Sequence, residues 1–377
     1  MRILHVVDYF HTDVGYQEYY LAKAQAADGH RVRVLTSAFR HHSVGEAGPD
    51  EVAGAQELDR AGAEVVRLPA RQLGHDRAWL HGLSAAVGAF APDVVHCHTA
   101  FGPTTVRTAR AASRLGVPVL VDNHIQERGA PAASRPSAQI VYRAYRVLFG
   151  RFLARSVGDW VTDGPDEAAF LSRRLGLDRH RVSIVTHGFD PSVFFFDEEA
   201  RRAERQRRRW GDDLVVAVTG KLYPAKRVEW AARAAESVAE PGTRLVLAGS
   251  VAPDYLAEVR RAAPSLARAG RLEVHPMLAR RGLADLYLGA DVVVFPRLPS
   301  ISIFEAAGTG VPVLLADDEF GDLLHERHPG VRIASPERLA EELGREPDRA
   351  AQARRAREVF SWPVISEEFV RRYQAMR

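Results

Sequence analysis

Two successive runs of short apolar segments alternating with helical stretches constrain this chain more than any other feature. The first run opens with RILHVV at 2–7 and continues with a helical composition at 17–28 that Gly29 ends. Strands are then expected at 31–36 and 64–68, a helix at 76–90, a strand at 93–97, a helix at 103–115 and a strand at 117–121. A longer helix is expected at 137–155, followed by strands beginning at Trp160 and at Val182. The pattern starts again with LVVAVT at 214–219. It runs on through strands at 244–248, 272–275, 291–295 and 311–315, with helices at 226–239, 254–268, 281–288 and 302–308. Strands separated by helices pair in parallel, because a parallel neighbour is reached only by a crossover, and the helices then cover both faces of the sheet. The chain therefore reads as α/β, two doubly wound units joined near 188–213, where Pro191 and an arginine-rich run interrupt the pattern. Open sheets of this kind bind ligands beyond the carboxyl ends of their strands, so the residues that follow each strand carry the most information.

A length of 377 residues suits two domains. The single cysteine, Cys97, excludes a disulfide framework or a cysteine-based metal cluster and fits a reducing compartment. No 18-residue apolar run is present, and the apolar start is too short for a signal peptide, so a cytoplasmic location is expected. A net charge of +3 is no nucleic-acid footprint, and none is expected as a partner. The densest basic run, RRAERQRRR at 201–209, reads as a solvated helix face. Only three of the 51 basic residues are lysines, and two of them, Lys221 and Lys226, stand five positions apart.

Those two lysines lie in GKLYPAKR at 220–227, directly after the strand at 214–219. A strand end, a glycine that lets a ligand approach the backbone, and two cations ahead of a helix N-terminus make a good seat for a diphosphate. The alternative is a surface loop with two solvated lysines. In the second half, Ser302 and Glu305 form a Ser-x-x-Glu pair, which is also a helix capping box.

Five segments in order resemble the retaining glycosyltransferases of family 4, which have the GT-B fold. They are HTDVGYQEYYLAK at 11–23, IVTHGFDPSVF at 184–194, GKLYPAKR at 220–227, SISIFEAAGTGVPVL at 300–314 and FSWPVISEEFVRRY at 360–373, and together they span essentially the whole chain. The resemblance implies two Rossmann-like domains facing across a cleft, an acceptor domain at 1–190 and a nucleotide-sugar donor domain at 191–360, with a helix at 361–377 packing back on the first. It implies that Gly220, Lys221 and Lys226 hold the donor diphosphate and that Ser302 and Glu305 serve the nucleotide, Glu305 at the ribose hydroxyls. His124, which follows the strand at 117–121, is expected to orient the donor sugar. Gly15 occupies a loop that approaches the donor, and Tyr16 beside it is expected at the acceptor.

Where the family usually has a second carboxylate, this chain has Arg297, which either meets an anionic group of the donor or points to solvent. His96 and His98 are expected on opposite faces of their strand, His98 reaching the acceptor and His96 buried; no metal site is expected from them. Asp317, Asp318 and Glu319 are likewise not expected to bind metal, and His187 is given no catalytic role. The helix at 137–155 interleaves Tyr142, Tyr145, Val147, Leu148, Phe149 and Phe152 with arginines. It reads as a core helix with snorkelling arginines, or as a weak peripheral membrane contact. The resulting expectation is a hexosyltransferase-like enzyme that moves a sugar from a nucleoside-diphosphate sugar to an acceptor hydroxyl, in a natural product or an envelope glycan. It would retain anomeric configuration and need neither metal nor cofactor. Two readings stand beside it: a catalytically degenerate nucleotide-binding partner, and a nucleotide-sugar 2-epimerase of the same fold.

Overall fold

The computed structural model describes residues 1–13, 15–41, 49–74, 77–126, 135–238, 242–297, 300–328, 330–343 and 348–377. They form two compact units, Met1–His187 together with Trp362–Arg377, and Gly188–Ser361.

The first unit is built on a seven-stranded sheet. Its strands are β1 (Arg2–Val6), β2 (Arg31–Ser37), β3 (Glu64–Leu68), β6 (Val94–Cys97), β7 (Val119–Asn123), β8 (Asp159–Thr162) and β9 (Val182–Ile184), with a separate hairpin of β4 (Ala70–Leu73) and β5 (Arg77–Leu80). The sheet order is β3-β2-β1-β6-β7-β8-β9, and all its pairings are parallel. Successive residues of one strand enter different cores. Leu4, Val95, Cys97, Val119, Val121 and Trp160 belong to one, while Ile3, Val94, Leu120 and Val161 belong to the other. Burial on both faces is why these strands read as unbroken apolar runs. The second core also takes in Trp362, Ile365, Phe369 and Tyr373 of the terminal helix Trp362–Ala375.

The second unit repeats the plan with β10 (Leu214–Thr219), β11 (Thr243–Ala248), β12 (Leu272–His275), β13 (Val292–Phe295), β14 (Val313–Ala316) and β15 (Val331–Ala334), ordered β12-β11-β10-β13-β14-β15 and parallel throughout. In each sheet the chain lays strands to one side of the first and then crosses to the other. The crossings lie between β1 and β6 and between β10 and β13. These are the points where α/β sheets open a crevice at their carboxyl ends.

Several expected elements change. The helix expected at 76–90 is the β5 strand followed by a helix at Leu83–Phe90. Ala78 and Leu80 are buried and Trp79 is half exposed, the period-2 pattern of a strand, and β5 pairs antiparallel with β4. The helix expected at 254–268 is broken into Pro253–Ala262 and Pro264–Arg268, because Pro264 cannot continue the hydrogen-bond ladder. The arginine-rich run is a helix, Glu198–Arg208, but only part of it is solvated. Arg201 donates to the carbonyls of Leu288, Gly289 and Ala290 and pairs with Asp291 at 2.6 Å, while Arg205 reaches Gly289 and Asp291. These cations close the carboxyl end of the helix Arg280–Gly289, whose last carbonyls lack partners of their own. Asp318 is a helix cap, accepting from the backbone of Phe320 and Gly321 at 3.1 Å.

The ends of β10 and β11 run so close that Gly249, at φ +149°, leaves no room for a side chain: an added Cβ would lie 1.7 Å from the Gly220 carbonyl oxygen. Gly270 is also left-handed, at φ +67°, but open space surrounds it. Gly270→Ala is expected to cost about 1–2 kcal/mol, the conformational penalty alone. Gly249→Ala should cost about 1–3 kcal/mol more through the clash, and urea unfolding of the two variants would measure the difference.

Candidate functional site

The site is described in two halves. In the first unit, Asp122 near the end of β7 is fully buried, and its Oδ2 accepts from Gln17 Nε2 at 2.9 Å, His96 Nε2 at 2.9 Å and His98 Nδ1 at 2.7 Å. The network continues in both directions. His98 Nε2 meets His5 Nδ1 at 2.8 Å, and His5 Nε2 donates to Gln25 Oε1 at 2.8 Å. Gln25 Nε2 donates to the Tyr373 hydroxyl at 3.4 Å, and that hydroxyl meets His96 Nδ1 at 2.7 Å. The circuit is closed. Burial pushes Asp122 up, but His98, His124 and His96 together hold it well below the usual carboxylate range. Burial drives His96 down to about 4, so its ring is neutral.

His124 stands at the open edge of this network. Its side chain is one-third exposed, with Nε2 3.5 Å from Asp122 Oδ1 and Nδ1 3.5 Å from Asp163 Oδ1. Burial would lower it, but the two carboxylates raise it well above the usual histidine range. Asp163 also binds His187 Nε2 at 2.8 Å, and the His124 and His187 rings stack with centroids 5.1 Å apart. His124, Asp163 and His187 each lie just beyond the carboxyl ends of the neighbouring strands β7, β8 and β9. Their ligating atoms fall within 4.8 Å of one another, as do those of His5, His96 and His98.

The two histidines assigned to opposite faces share one face instead: residues two apart on a strand point the same way, and both reach Asp122. Both nitrogens of His98 are engaged inside the protein, so its side chain turns inward. Gly15, at φ +71°, turns the chain ahead of the helix Gln17–Ala27 and brings Gln17 to Asp122. Tyr19 and Tyr20 are packing residues: Tyr19 bonds the Gly54 carbonyl, and Tyr20 stacks on Trp362 at 5.1 Å. Tyr16 is the half-buried residue at the helix start.

In the second unit β10 ends at Thr219, and Gly220 follows at φ +107°, where an added Cβ would meet only open space. Lys221 is exposed. Pro224–Lys226 makes a short 3-10 turn before the helix Val228–Ser237, and Lys226 is half-buried there. Burial lowers the Lys226 ammonium to about 8. On the far side of the β10–β13 crossing, Ser302 is the first residue of the helix Ser302–Gly308; it is Ile301 that precedes that helix, with no side-chain cap, so the capping-box reading of Ser302 does not describe this turn. Ser302 and Glu305 hydrogen-bond, and Arg280 attracts the same carboxylate, yet burial dominates and raises Glu305 to about 7. Tyr287, buried below, bonds Thr219 Oγ1 at 2.7 Å. Arg297 is half-buried in the loop after β13 and has no ion-pair partner among the described residues. Arg280 and the Asp163–His187 pair are the members that sequence reasoning missed. The pair had a signal, since both residues follow expected strands, but only the strand order makes them neighbours.

Glu305 predicts a pH dependence. Between the usual 4.5 and about 7 the folded chain keeps a proton that the unfolded chain has released. The stability tied to this group is therefore complete below pH 4.5 and lost as pH rises through about 7. Glu305→Gln should raise the melting temperature at pH 8, by an amount equivalent to about 1–3 kcal/mol, and leave it unchanged at pH 4.5.

Comparison with known proteins follows the two-unit division. Residues 15–188 match the glycosyl transferase 4-like domain, and residues 213–345 match glycosyl transferases group 1. A D-inositol 3-phosphate glycosyltransferase of Xylanimonas cellulosilytica is 29% identical over 72% of this chain and 69% of its own. A GDP-mannose-dependent alpha-mannosyltransferase of Mycobacterium tuberculosis is 27% identical over 96% of this chain and 95% of its own. Among solved structures, Anabaena HepE in complex with UDP superposes over the full length of both chains with a TM-score of 0.72 at 16% identity, a likeness of fold. Two glycosyltransferase families matched in succession, on a pair of doubly wound units, place the chain in glycosyltransferase family 4, enzymes of the GT-B fold that use nucleotide sugars.

Proposed function

We propose that the chain transfers a sugar from a nucleoside-diphosphate sugar to an acceptor hydroxyl, with retention of anomeric configuration and without a metal ion. The observation that carries this reading is Lys226, an ammonium buried far enough for its pKa to fall to about 8, beside the open backbone of Gly220. Burial disfavours the charged form of this lysine, and a diphosphate on Gly220, Lys221 and Lys226 favours it. The exposed Lys221 meets the outer phosphate oxygens. Glu305, with Ser302 hydrogen-bonded to it, accepts from the ribose hydroxyls of the nucleotide, and Arg297 faces the donor from the loop after β13.

In the reaction the bond from the anomeric carbon to the diphosphate oxygen breaks while the acceptor oxygen bonds to the same face of that carbon. The acceptor proton passes to the departing phosphate oxygen. Lys221 and Lys226 stabilise the charge that develops there, which is the task a metal ion would otherwise perform. His124, held by Asp122 and Asp163, orients the sugar, and Gly15 and Tyr16 border the acceptor. The names of the relatives point to GDP-mannose as the first donor to try, with UDP-glucose second. A cytoplasmic setting suits the reduced, buried Cys97, and weak contact of residues 137–155 with a membrane surface is part of the same reading. No helix among the described residues is long and apolar enough to cross a membrane.

Calorimetry with GDP and UDP at pH 8, in buffers of different ionisation enthalpy and without magnesium, tests the assignment. Binding should take up about half a proton, because the diphosphate raises the pKa of a lysine that is half-titrated there. Lys226→Ala should abolish the uptake and weaken binding roughly 10- to 100-fold. Unchanged affinity and proton uptake in that variant would refute the diphosphate seat.

A further inference from the structure

A cavity in the first unit lies away from the strand ends around His124. It measures about 750 Å³ and lies between the β4–β5 hairpin, the start of the helix Pro103–Leu115 and the helix Pro136–Tyr145. Its size falls in the ordinary range of small-molecule sites. The walls are apolar: Trp79, Phe101, Val106, Tyr142 and Phe149 supply most of the surface. The polar groups at its rim are of one sign. Arg77, Arg107 and Arg110 line it, and no carboxylate does among the described residues. The guanidinium groups of these arginines are fixed by the cavity walls. Arg107 lies 4.2 Å over the Trp79 ring and donates to the Leu80 carbonyl, Arg77 donates to the Phe101 carbonyl, and Arg110 lies over Phe149.

The helix that forms one wall continues this chemistry outward. Tyr142, Tyr145, Phe149 and Phe152 pack against the core, as the core-helix reading expects. Its other side is aliphatic and open: Ile140, Val141, Val147 and Leu148 are 65% to 75% exposed. A π-turn at Arg146–Gly150 carries the exposed Val147 and Leu148, and Val141 of the same helix lines the cavity. No acidic residue occurs from 135 to 158, while Arg143, Arg146, Arg151 and Arg155 do. An exposed aliphatic ridge, an aromatic-walled cavity that opens beside it and a rim that is wholly cationic select a ligand with a hydrocarbon part and a negative head.

We propose that this cavity binds an anionic amphiphile, with the hydrocarbon chain between Trp79, Phe101 and Phe149 and the head at Arg77, Arg107 and Arg110. The ridge at Ile140, Val141, Val147 and Leu148 covers the part of the chain that emerges. Calling the amphiphile the glycosyl acceptor rests on the transfer reading above; its binding does not.

Dodecyl phosphate, below its micelle concentration, is the probe, followed by calorimetry and by Trp79 fluorescence. Saturable binding of one molecule per chain is expected, with dodecyltrimethylammonium at least tenfold weaker and inorganic phosphate silent. Ala138→Trp, which fills the cavity from its lining, and Val141→Asp, which places a negative charge at its mouth, should each weaken dodecyl phosphate at least tenfold. Both variants should keep the wild-type melting temperature and the response to GDP or UDP, so a failure of the donor seat in the second unit is read separately. Equal binding of the cationic amphiphile, or unchanged binding in both variants, would overturn the proposal. Vesicles of phosphatidylglycerol distinguish the source of the ligand. Binding to vesicles and to monomeric dodecyl phosphate, both lost in Ala138→Trp, indicates a membrane lipid, and binding to the monomer alone indicates a soluble amphiphile. Binding to vesicles that survives Ala138→Trp, with no binding of the monomer, would show that the ridge acts alone and would overturn the cavity assignment.

Discussion

One buried carboxylate organises the first unit. Asp122 sits at the carboxyl edge of a parallel sheet, where nothing in the strand ladder can satisfy it, and a charge in that position is costly unless it is fully hydrogen-bonded. The chain meets the cost with four groups from three places in the sequence: Gln17 from the first helix, His96 and His98 from the end of the neighbouring strand and the residue after it, and His124 from the turn just beyond β7. Through His5, Gln25 and Tyr373 the same circuit reaches the first strand and the last helix. Satisfying one charge thus sets the position of the loop at Gly15, the tilt of the terminal helix and the ring of His124. The side chain that faces the open edge is held from behind by groups that never meet a ligand themselves.

The second unit handles charge the other way. At the end of β10 it gathers a depressed lysine, a raised glutamate and an exposed lysine around backbone that only glycine can adopt. Burial moves both shifted groups, and the opposing effects of Arg280 and Ser302 do not bring Glu305 back to the usual carboxylate range. Shifted titratable groups at a strand end mark a candidate ligand site, while Asp122 is held through Oδ2 by three side chains of its own unit. The two halves of the enzyme divide along that line.

Much of this was legible in the amino-acid order because long apolar strands and helical periods are local properties. The helix at 302–308, the strand at 214–219 and the significance of two lysines in a chain nearly without them needed no tertiary information. Failures came where a residue's role depends on what lies across the fold. Arg201 and Arg205 are indistinguishable in sequence from the solvated Arg202, and only the distant carbonyls of Leu288 and Gly289 separate them. The segment around Trp79 is too short to show whether its period is that of a strand or a helix, and pairing with Ala70–Leu73 decides it. Asp163 and His187 could be placed after strands, but their meeting required the order β7-β8-β9. The sequence left residues 137–155 as either a core helix or a surface contact, because apolar residues and arginines interleave along it, and only the exposure of Ile140, Val141, Val147 and Leu148 separates its two sides.

The return of Trp362–Arg377 to the first unit has a bearing on how the protein is made. A ribosome releases the strands of that sheet early, yet the tyrosine that completes the hydrogen-bond circuit of His96 emerges only after all of Gly188–Ser361. Until then the apolar face that receives Trp362, Phe369 and Tyr373 has no cover, and the buried imidazoles lack a partner. The intervening unit has all its strands in hand and is free to fold first. The first unit is therefore completed only after the unit that interrupts it in sequence.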